Sequence, residues 1–166
     1  MSAAAKLALR PYVPADASLL ADIFRSSIEE LTGEFYSDAQ RQAWASAADD
    51  DESFAARLAR QLTLLGTFDG GPVGFASLKG ADELDMLYVH PAAVGQGVGT
   101  MLMDAVERLA AARGGSRLVA DVSDAAESFF KRHGFVPQRR NTVPIAGEWL
   151  ASTTMEKKLA RKERLQ

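Results

Sequence analysis

The chain of 166 residues contains no cysteine. That one absence excludes a disulfide framework, a thiolate nucleophile and a cysteine zinc site. Histidine is nearly as scarce. His90 and His133 are the only two, too few for a metal site built on histidine alone. Neither sign of charge dominates: 19 Lys and Arg stand against 22 Asp and Glu, a formal net charge of -3. The basic footprint needed for sequence-independent nucleic-acid binding is therefore missing. No apolar run is long enough to cross a bilayer, and residues 1–6 lack the charged and apolar regions of a secretory signal. These absences lead to the expectation of a cytoplasmic protein with no nucleic-acid partner, no membrane and no metal. The length suits one domain over residues 1–166, with a core at about 7–159 and a charged tail from Lys158, frayed or helical. The acidic run Asp49-Asp50-Asp51-Glu52 reads as a solvated loop and helix start, because nothing nearby completes a ligand set.

What is present is concentrated in Val94-Gly95-Gln96-Gly97-Val98-Gly99. An apolar segment, Leu84 to Val89, precedes it and closes at His90-Pro91. After it Val98, Met101, Leu102, Ala105, Val106, Leu109 and Ala110 recur at helical spacing. The pattern predicts a strand, a glycine turn and an amphipathic helix. Unpaired amides and the positive end of a helix dipole favour a phosphate there. Glycine lets the backbone approach it without a Cβ in the way. A dinucleotide fingerprint would place its third glycine one residue later than Gly99. A P-loop would need a lysine before Thr100. On these residues alone, a plain turn between strand and helix stays open.

The remaining pattern predicts the other elements. Leu7–Arg10 reads as a strand. Asp16 is read as the N-cap of a helix with Leu19, Leu20, Ile23, Phe24, Ile28 and Leu31 on its apolar face. Ser37-Asp38-Ala39-Gln40 has the capping-box form and opens a second helix to about Ala47. Phe54, Leu58 and Leu62 suggest a third. Leu62–Phe68, Val73–Leu78 and Leu84–Val89, joined by short turns, read as an antiparallel meander. A glycine stop at Gly114-Gly115, a strand from Arg117 to Asp121, a helix capped by Ser123 or Asp124 and ended by Gly134, and two last strands complete the chain. The order is that of an α+β fold around a mixed, mostly antiparallel seven-stranded sheet flanked by helices.

Leu87-Tyr88-Val89-His90-Pro91 followed by the glycine turn resembles motif A of the GCN5-related N-acetyltransferases, Arg/Gln-x-x-Gly-x-Gly/Ala entered from a strand of the type Leu-x-Val-x-Pro. Ala126-Glu127-Ser128-Phe129-Phe130-Lys131-Arg132-His133-Gly134-Phe135 is similar to the family's later motif, Ala-x-x-Phe-Tyr-x-x-x-Gly-Phe. Phe35-Tyr36-Ser37 with Ala43-Trp44-Ala45, and Trp149-Leu150 with Met155-Glu156-Lys157, resemble the YafP-type subgroup of small bacterial members. The likeness runs from about Leu7 to Leu159. It implies a sheet whose fourth and fifth strands splay around acetyl-CoA, the cosubstrate. It also implies a pyrophosphate seat on the amides of Val94, Gly95, Gln96, Gly97, Val98, Gly99 and Thr100, and backbone pairing of Leu87, Tyr88 and Val89 with the pantetheine arm.

Three positions depart from the family pattern. Val94 stands where Arg or Gln is usual, Ser123 where many members have Asn near the cofactor, and Phe130 where a tyrosine often protonates the departing thiolate. Phenylalanine cannot donate, but an alkyl thiol with a pKa near ~8.5 needs little help to leave. For the base the resemblance points to the strand before the turn, which offers Glu83 and Asp85. Strand alternation puts both on one face with Leu87 and Val89. Asp85 is preferred as closer to the expected acetyl position; the alternative is that both carboxylates only solvate the strand start. Tyr36, Trp44 and Trp149 are the aromatic candidates for the acceptor pocket, with Trp44 equally readable as core. His90 reads as a loop hydrogen-bonder and His133 as a helix C-cap. The function implied is acetyl transfer to a primary amine of a small molecule by direct attack. A non-catalytic acyl-CoA-binding or regulatory module, favoured by Phe130, and a protein or peptide N-acetyltransferase stay open, and so does a homodimer.

Overall fold

Seven segments become strands: β1 (Leu7–Pro11), β2 (Leu62–Phe68), β3 (Gly71–Lys79), β4 (Glu83–Val89), β5 (Arg117–Ser123), β6 (Val136–Ile145) and β7 (Glu148–Lys158). In the computed structural model, which describes residues 6–160, they form one sheet in the order β1-β2-β3-β4-β5-β7-β6. Every pair is antiparallel except β4 with β5. The helices are α1 (Ala17–Leu31), α2 (Asp38–Ala45), α3 (Asp51–Arg60), α4 (Val98–Ala112) and α5 (Glu127–Arg132). None is long and apolar enough to cross a membrane among the described residues.

Two apolar clusters cover opposite faces of the sheet. On one, Leu102, Met103 and Val106 of α4 pack on Ala76, Leu78 and Leu118, with Phe130 and Phe135 alongside. On the other, Leu20, Phe24 and Ile28 of α1 join Phe54 and Leu58 of α3 over Leu65, Phe75 and Met86. Neighbours along β3 divide between the faces as the pleat requires: Phe75 goes to the second cluster and Ala76 to the first.

Several local expectations meet a tertiary competitor. Ser37 and Gln40 form the capping box of α2, with Ser37 N–H donating to Gln40 Oε1 at 2.9 Å and Gln40 N–H to Ser37 Oγ at 3.2 Å. That helix stops at Ala45 and continues only as a tighter turn over Ser46–Ala48. Within the acidic run, Asp50 caps α3 by accepting from Ser53 N–H at 3.1 Å. Asp16 caps nothing. Its carboxylate accepts both Arg10 guanidinium nitrogens, at 2.7 and 2.8 Å, and Val13 N–H at 2.9 Å. The planar fork is the stronger partner for a carboxylate, so it outcompetes the helix amides. Lys158 still belongs to β7, and Leu159 N–H donates to the Ser116 carbonyl at 2.9 Å. The rest of the expected tail lies outside the described residues.

The β3–β4 pair contains a register shift. Ser77 pairs with Met86 but Leu78 with Leu84, which leaves Asp85 as an extra, unpaired residue. Such a bulge interrupts alternation and re-aims the side chain it carries.

Candidate active site

β4 and β5 stay together only at their start. Glu83 faces Val119, and Val119 N–H donates to the Asp82 carbonyl at 2.7 Å. Beyond this point β5 follows β7 along its whole length, Arg117 to Ser123, while β4 follows β3. The twist of each half pulls the two strands apart. The opening is a cleft of about 650 Å3, the size of an ordinary small-molecule site. On its β4 side the edge of Leu87, Tyr88 and Val89 has no strand partner, because these residues pair only with Ala76, Phe75 and Gly74 of β3.

The glycine turn forms one end of the cleft. His90 Nδ1 accepts Ala92 N–H at 3.0 Å and Gln96 Nε2 donates to the Ala92 carbonyl at 3.2 Å, tightening the entry. Gly95 and Gly97 hold φ of 82° and 88°, which other residues adopt at a cost. Gly97 precedes α4 without a side-chain cap, and the first bond into the helix is Met101 N–H to the Gly97 carbonyl at 3.0 Å. The amides of Val98, Gly99 and Thr100 come before it, and all three residues line the cleft. They are the orphan donors of a fifteen-residue helix. A Cβ on Gly99 would come within 3.2 Å of the Phe129 ring, so α5 seats closely against the turn. Thr100 Oγ1 lies 3.3 Å from His133 Nε2. His133 thus faces the cleft rather than only closing its helix.

The expected cofactor residues divide by position. Leu87, Tyr88, Val89, Val94, Gly95, Gly97, Val98, Gly99, Thr100, Ser123 and Phe130 all line the cleft; Gln96 does not, its amide being turned back onto the loop. Ser123 Oγ accepts Ala126 N–H at 3.3 Å and holds the turn into α5. Phe130 is buried against Phe135, with ring centroids 4.9 Å apart. It brings no proton donor to the cleft.

The two carboxylates expected to act as base separate. Glu83 is exposed at the closed end, beside Val119, and does not line the cleft. Asp85 does line it, but from a different face than alternation predicts. Leu87 and Val89 pack toward α4, whereas Asp85 turns toward α3, where Arg57 Nε and Gln61 Nε2 both donate to its Oδ2 at 2.8 Å. The bulge is the reason. Burial pushes the Asp85 carboxyl up, but the hydrogen bonds from Arg57 and Gln61, with the charges of Arg57 and Lys79, outweigh it and hold the group below the usual carboxylate range. No sequence motif marks Arg57 and Gln61. They lie four residues apart at the end of α3, a readable spacing, but only the fold supplies the carboxylate between them.

Of the three aromatic candidates only Trp44 lines the cleft. It meets Tyr88 edge-on at 6.3 Å between centroids and Tyr36 at 5.6 Å. Burial pushes the Tyr88 phenol up to about 12, against the opposing pull of the Trp44 indole, so it is neutral at physiological pH. Tyr36 sits behind the lining. Its hydroxyl donates to the Ala151 carbonyl at 2.6 Å and accepts Asp124 N–H at 2.9 Å, joining the α1–α2 connection to β7 and to the turn after β5. Tyr36→Phe leaves both backbone groups without that partner, so a loss of ~1–3 kcal/mol is expected in urea denaturation. Trp149 is 62% exposed on the β6–β7 hairpin, and it is its carbonyl, not its ring, that is engaged, by Gln40 Nε2 at 2.8 Å. The splay of an otherwise continuous sheet, a glycine turn at a helix start and a free strand edge together define an acyl-CoA-type transferase site.

Comparison with known proteins gives the class its name. The Acetyltransferase (GNAT) domain family matches residues 32–159, and the chain belongs to that family of acetyl-CoA-dependent N-acetyltransferases. It is 29% identical over 150 residues to the uncharacterized N-acetyltransferase YafP of Escherichia coli, covering 90% of this chain and 95% of that one. It is 30% identical over 139 residues to the peptidyl-lysine N-acetyltransferase YjaB of Salmonella typhimurium, covering 84% and 79%. The crystal structure of a GCN5-related N-acetyltransferase from Rhodopseudomonas palustris superposes with a TM-score of 0.91 at 61% identity, over 92% of this chain and 95% of that one.

Proposed function

We propose that this chain acetylates the primary amine of a small molecule, with acetyl-CoA along the free edge of β4, its pyrophosphate at the glycine turn, and the amine entering beside Asp85, Trp44 and Tyr88. The splay beyond Glu83 carries this reading, because it puts the orphan amides of Val98 to Thr100 and the carboxylate of Asp85 in one cleft. The residues fit the cosubstrate: a Cβ at Gly95 would meet nothing within 4 Å, so the space over the turn is open to an anion. Bound acetyl-CoA supplies an activated acyl carbon and a thiol leaving group.

The chain's own groups do the rest. Asp85 stays ionised at neutral pH and draws in the acceptor's ammonium group, which gives one proton to water before its lone pair attacks the acyl carbon. Asp85 then offsets the positive charge on nitrogen as the C–N bond forms and the C–S bond breaks to release the thiolate. A carboxylate this acidic is a poor final resting place for the proton, so the proton passes through water at the cleft mouth. Tyr88 and Trp44 give the acceptor an apolar wall. The similarity to a peptidyl-lysine N-acetyltransferase favours a second reading, a lysine side chain of a peptide.

Val94 provides the test of the cosubstrate site. It is 52% exposed at the cleft rim, so substitution leaves the core intact. Val94→Arg adds a charge-assisted donor and is expected to tighten CoA binding several-fold in calorimetry, while Val94→Glu weakens it by about tenfold, or ~1.4 kcal/mol. Equal affinities for both variants would remove the pyrophosphate from this turn. A thiol-release assay with a panel of small amines and lysine peptides decides the acceptor, and faster turnover with the peptides would replace the small-molecule reading.

A further inference from the structure

We infer that Arg57 and Gln61 are positioning residues of the acceptor site: they occupy one oxygen of Asp85 and so present the other to the incoming amine. The inference rests on the proposed role of Asp85 beside the acceptor. Its basis is the way this carboxylate is held. Among the described residues, four other Arg–Asp pairs exist; Arg25–Asp22 and Arg41–Asp38 join through one oxygen, and two use both carboxylate oxygens. Arg10 bonds Oδ1 and Oδ2 of Asp16 through separate nitrogens, and Arg140 does the same to Asp124. A bidentate pair satisfies both oxygens, whereas the two single-oxygen pairs hold exposed aspartates with one donor each. Asp85 is held differently. Arg57 approaches through Nε, Gln61 through Nε2, and both bonds of 2.8 Å converge on Oδ2. No described residue donates to Oδ1.

The placement agrees with the bonding. Asp85 lines the cleft while Arg57 and Gln61 do not, so the two donors grip the carboxylate from behind. The bulge frees the Asp85 side chain from the alternation of β4. The grip itself is anchored, because Phe54 and Leu58 bury the inner face of α3 at 2% and 0% exposure. Gln61 Oε1 is buried without a partner, so the amide gives its nitrogen to Asp85 and leaves its oxygen unpaired. Around Asp85 the other charged or titratable neighbours are Lys79 from β3 and Tyr88 on β4. Neither is hydrogen-bonded to the carboxylate among the described contacts, so the orientation depends on Arg57 of α3 and Gln61 just beyond that helix.

The experiment compares Arg57→Met, Arg57→Lys and Gln61→Leu with Asp85→Asn as reference. Steady-state kinetics are read separately for the best amine of the panel and for acetyl-CoA, and the Asp85 carboxyl carbon is titrated by NMR. Arg57→Met is expected to raise the amine KM about tenfold, the scale of one lost charge-assisted bond, with the acetyl-CoA KM unchanged within about twofold on the same scale. The Asp85 carboxyl should titrate at higher pH in this variant, and Arg57→Lys should recover most of both effects. Gln61→Leu should shift the same two quantities in the same direction by less, and it carries the test if Arg57→Met fails to fold. Should the Asp85 titration move while amine kinetics remain wild type, and Asp85→Asn be impaired, the positioning role is wrong and the reading of Asp85 stands. Should Asp85→Asn itself match wild type, both fall. A parallel rise in both KM values would mark general loosening and also overturn the inference.

Discussion

Asp85→Asn is expected to lower kcat/KM for the amine acceptor roughly 10²-fold at neutral pH, the low end of the scale for a group that assists the acceptor's proton transfer through water. The substitution keeps the shape and removes the charge that draws in the ammonium form. The deficit should shrink as pH rises, because a neutral amine needs neither attraction nor deprotonation. Wild-type turnover across the pH range would show that the acceptor is handled elsewhere in the cleft. The same substitution has a stability signature with a defined sign. Asp85 is held below the usual carboxylate range in the folded chain. Its contribution is therefore complete above that range and is lost as pH falls through the lower folded value. The difference in Tm between wild type and variant should be constant near neutrality and close only in acid. Arg57 is one-third exposed and keeps contact with water when its partner is neutralised, so the variant is expected to fold.

Gly97→Asp is expected to weaken CoA binding by tenfold or more, ~1.4 kcal/mol or above, by placing a carboxylate beside the amides that face the cleft. Because Gly97 holds φ of 88°, any side chain here also carries backbone strain, ~1–2 kcal/mol and least for Asp and Asn. Gly97→Asn carries the same strain without the charge. The affinity difference between the two variants, measured by calorimetry, isolates the electrostatic part, and it should narrow as salt rises. If both variants lose the same affinity at every salt concentration, the turn does not hold a phosphate.

The period of two in Leu62–Phe68, the glycine turn with its helical spacing, and the capping box at Ser37 are local patterns, and each appears in the structure where the sequence places it. They are legible because neighbouring residues alone decide them: alternation, left-handed glycine, a hydroxyl three residues before an amide. Motif resemblance added the splay of β4 from β5, which no local pattern contains. What the sequence could not determine is where a side chain goes once two distant segments set its surroundings. Alternation assigned Asp85 to the face of Leu87 and Val89, and a one-residue shift in pairing with β3 moved it to α3. Asp16 takes the N-cap position the sequence assigns it, but Arg10, brought beside it by the first strand, claims its carboxylate. Tyr36 and Trp149 had the look of pocket aromatics, but contacts over a hundred residues away in sequence gave the first to Ala151 and left the second in solvent. By itself the sequence determined the turn and most of the elements, because these follow from short-range sterics and hydrogen bonds, and it pointed to the family through motif resemblance. The tertiary structure alone decided which carboxylate reaches the cleft and what holds it there, because register and burial are properties of pairs of segments, not of either one.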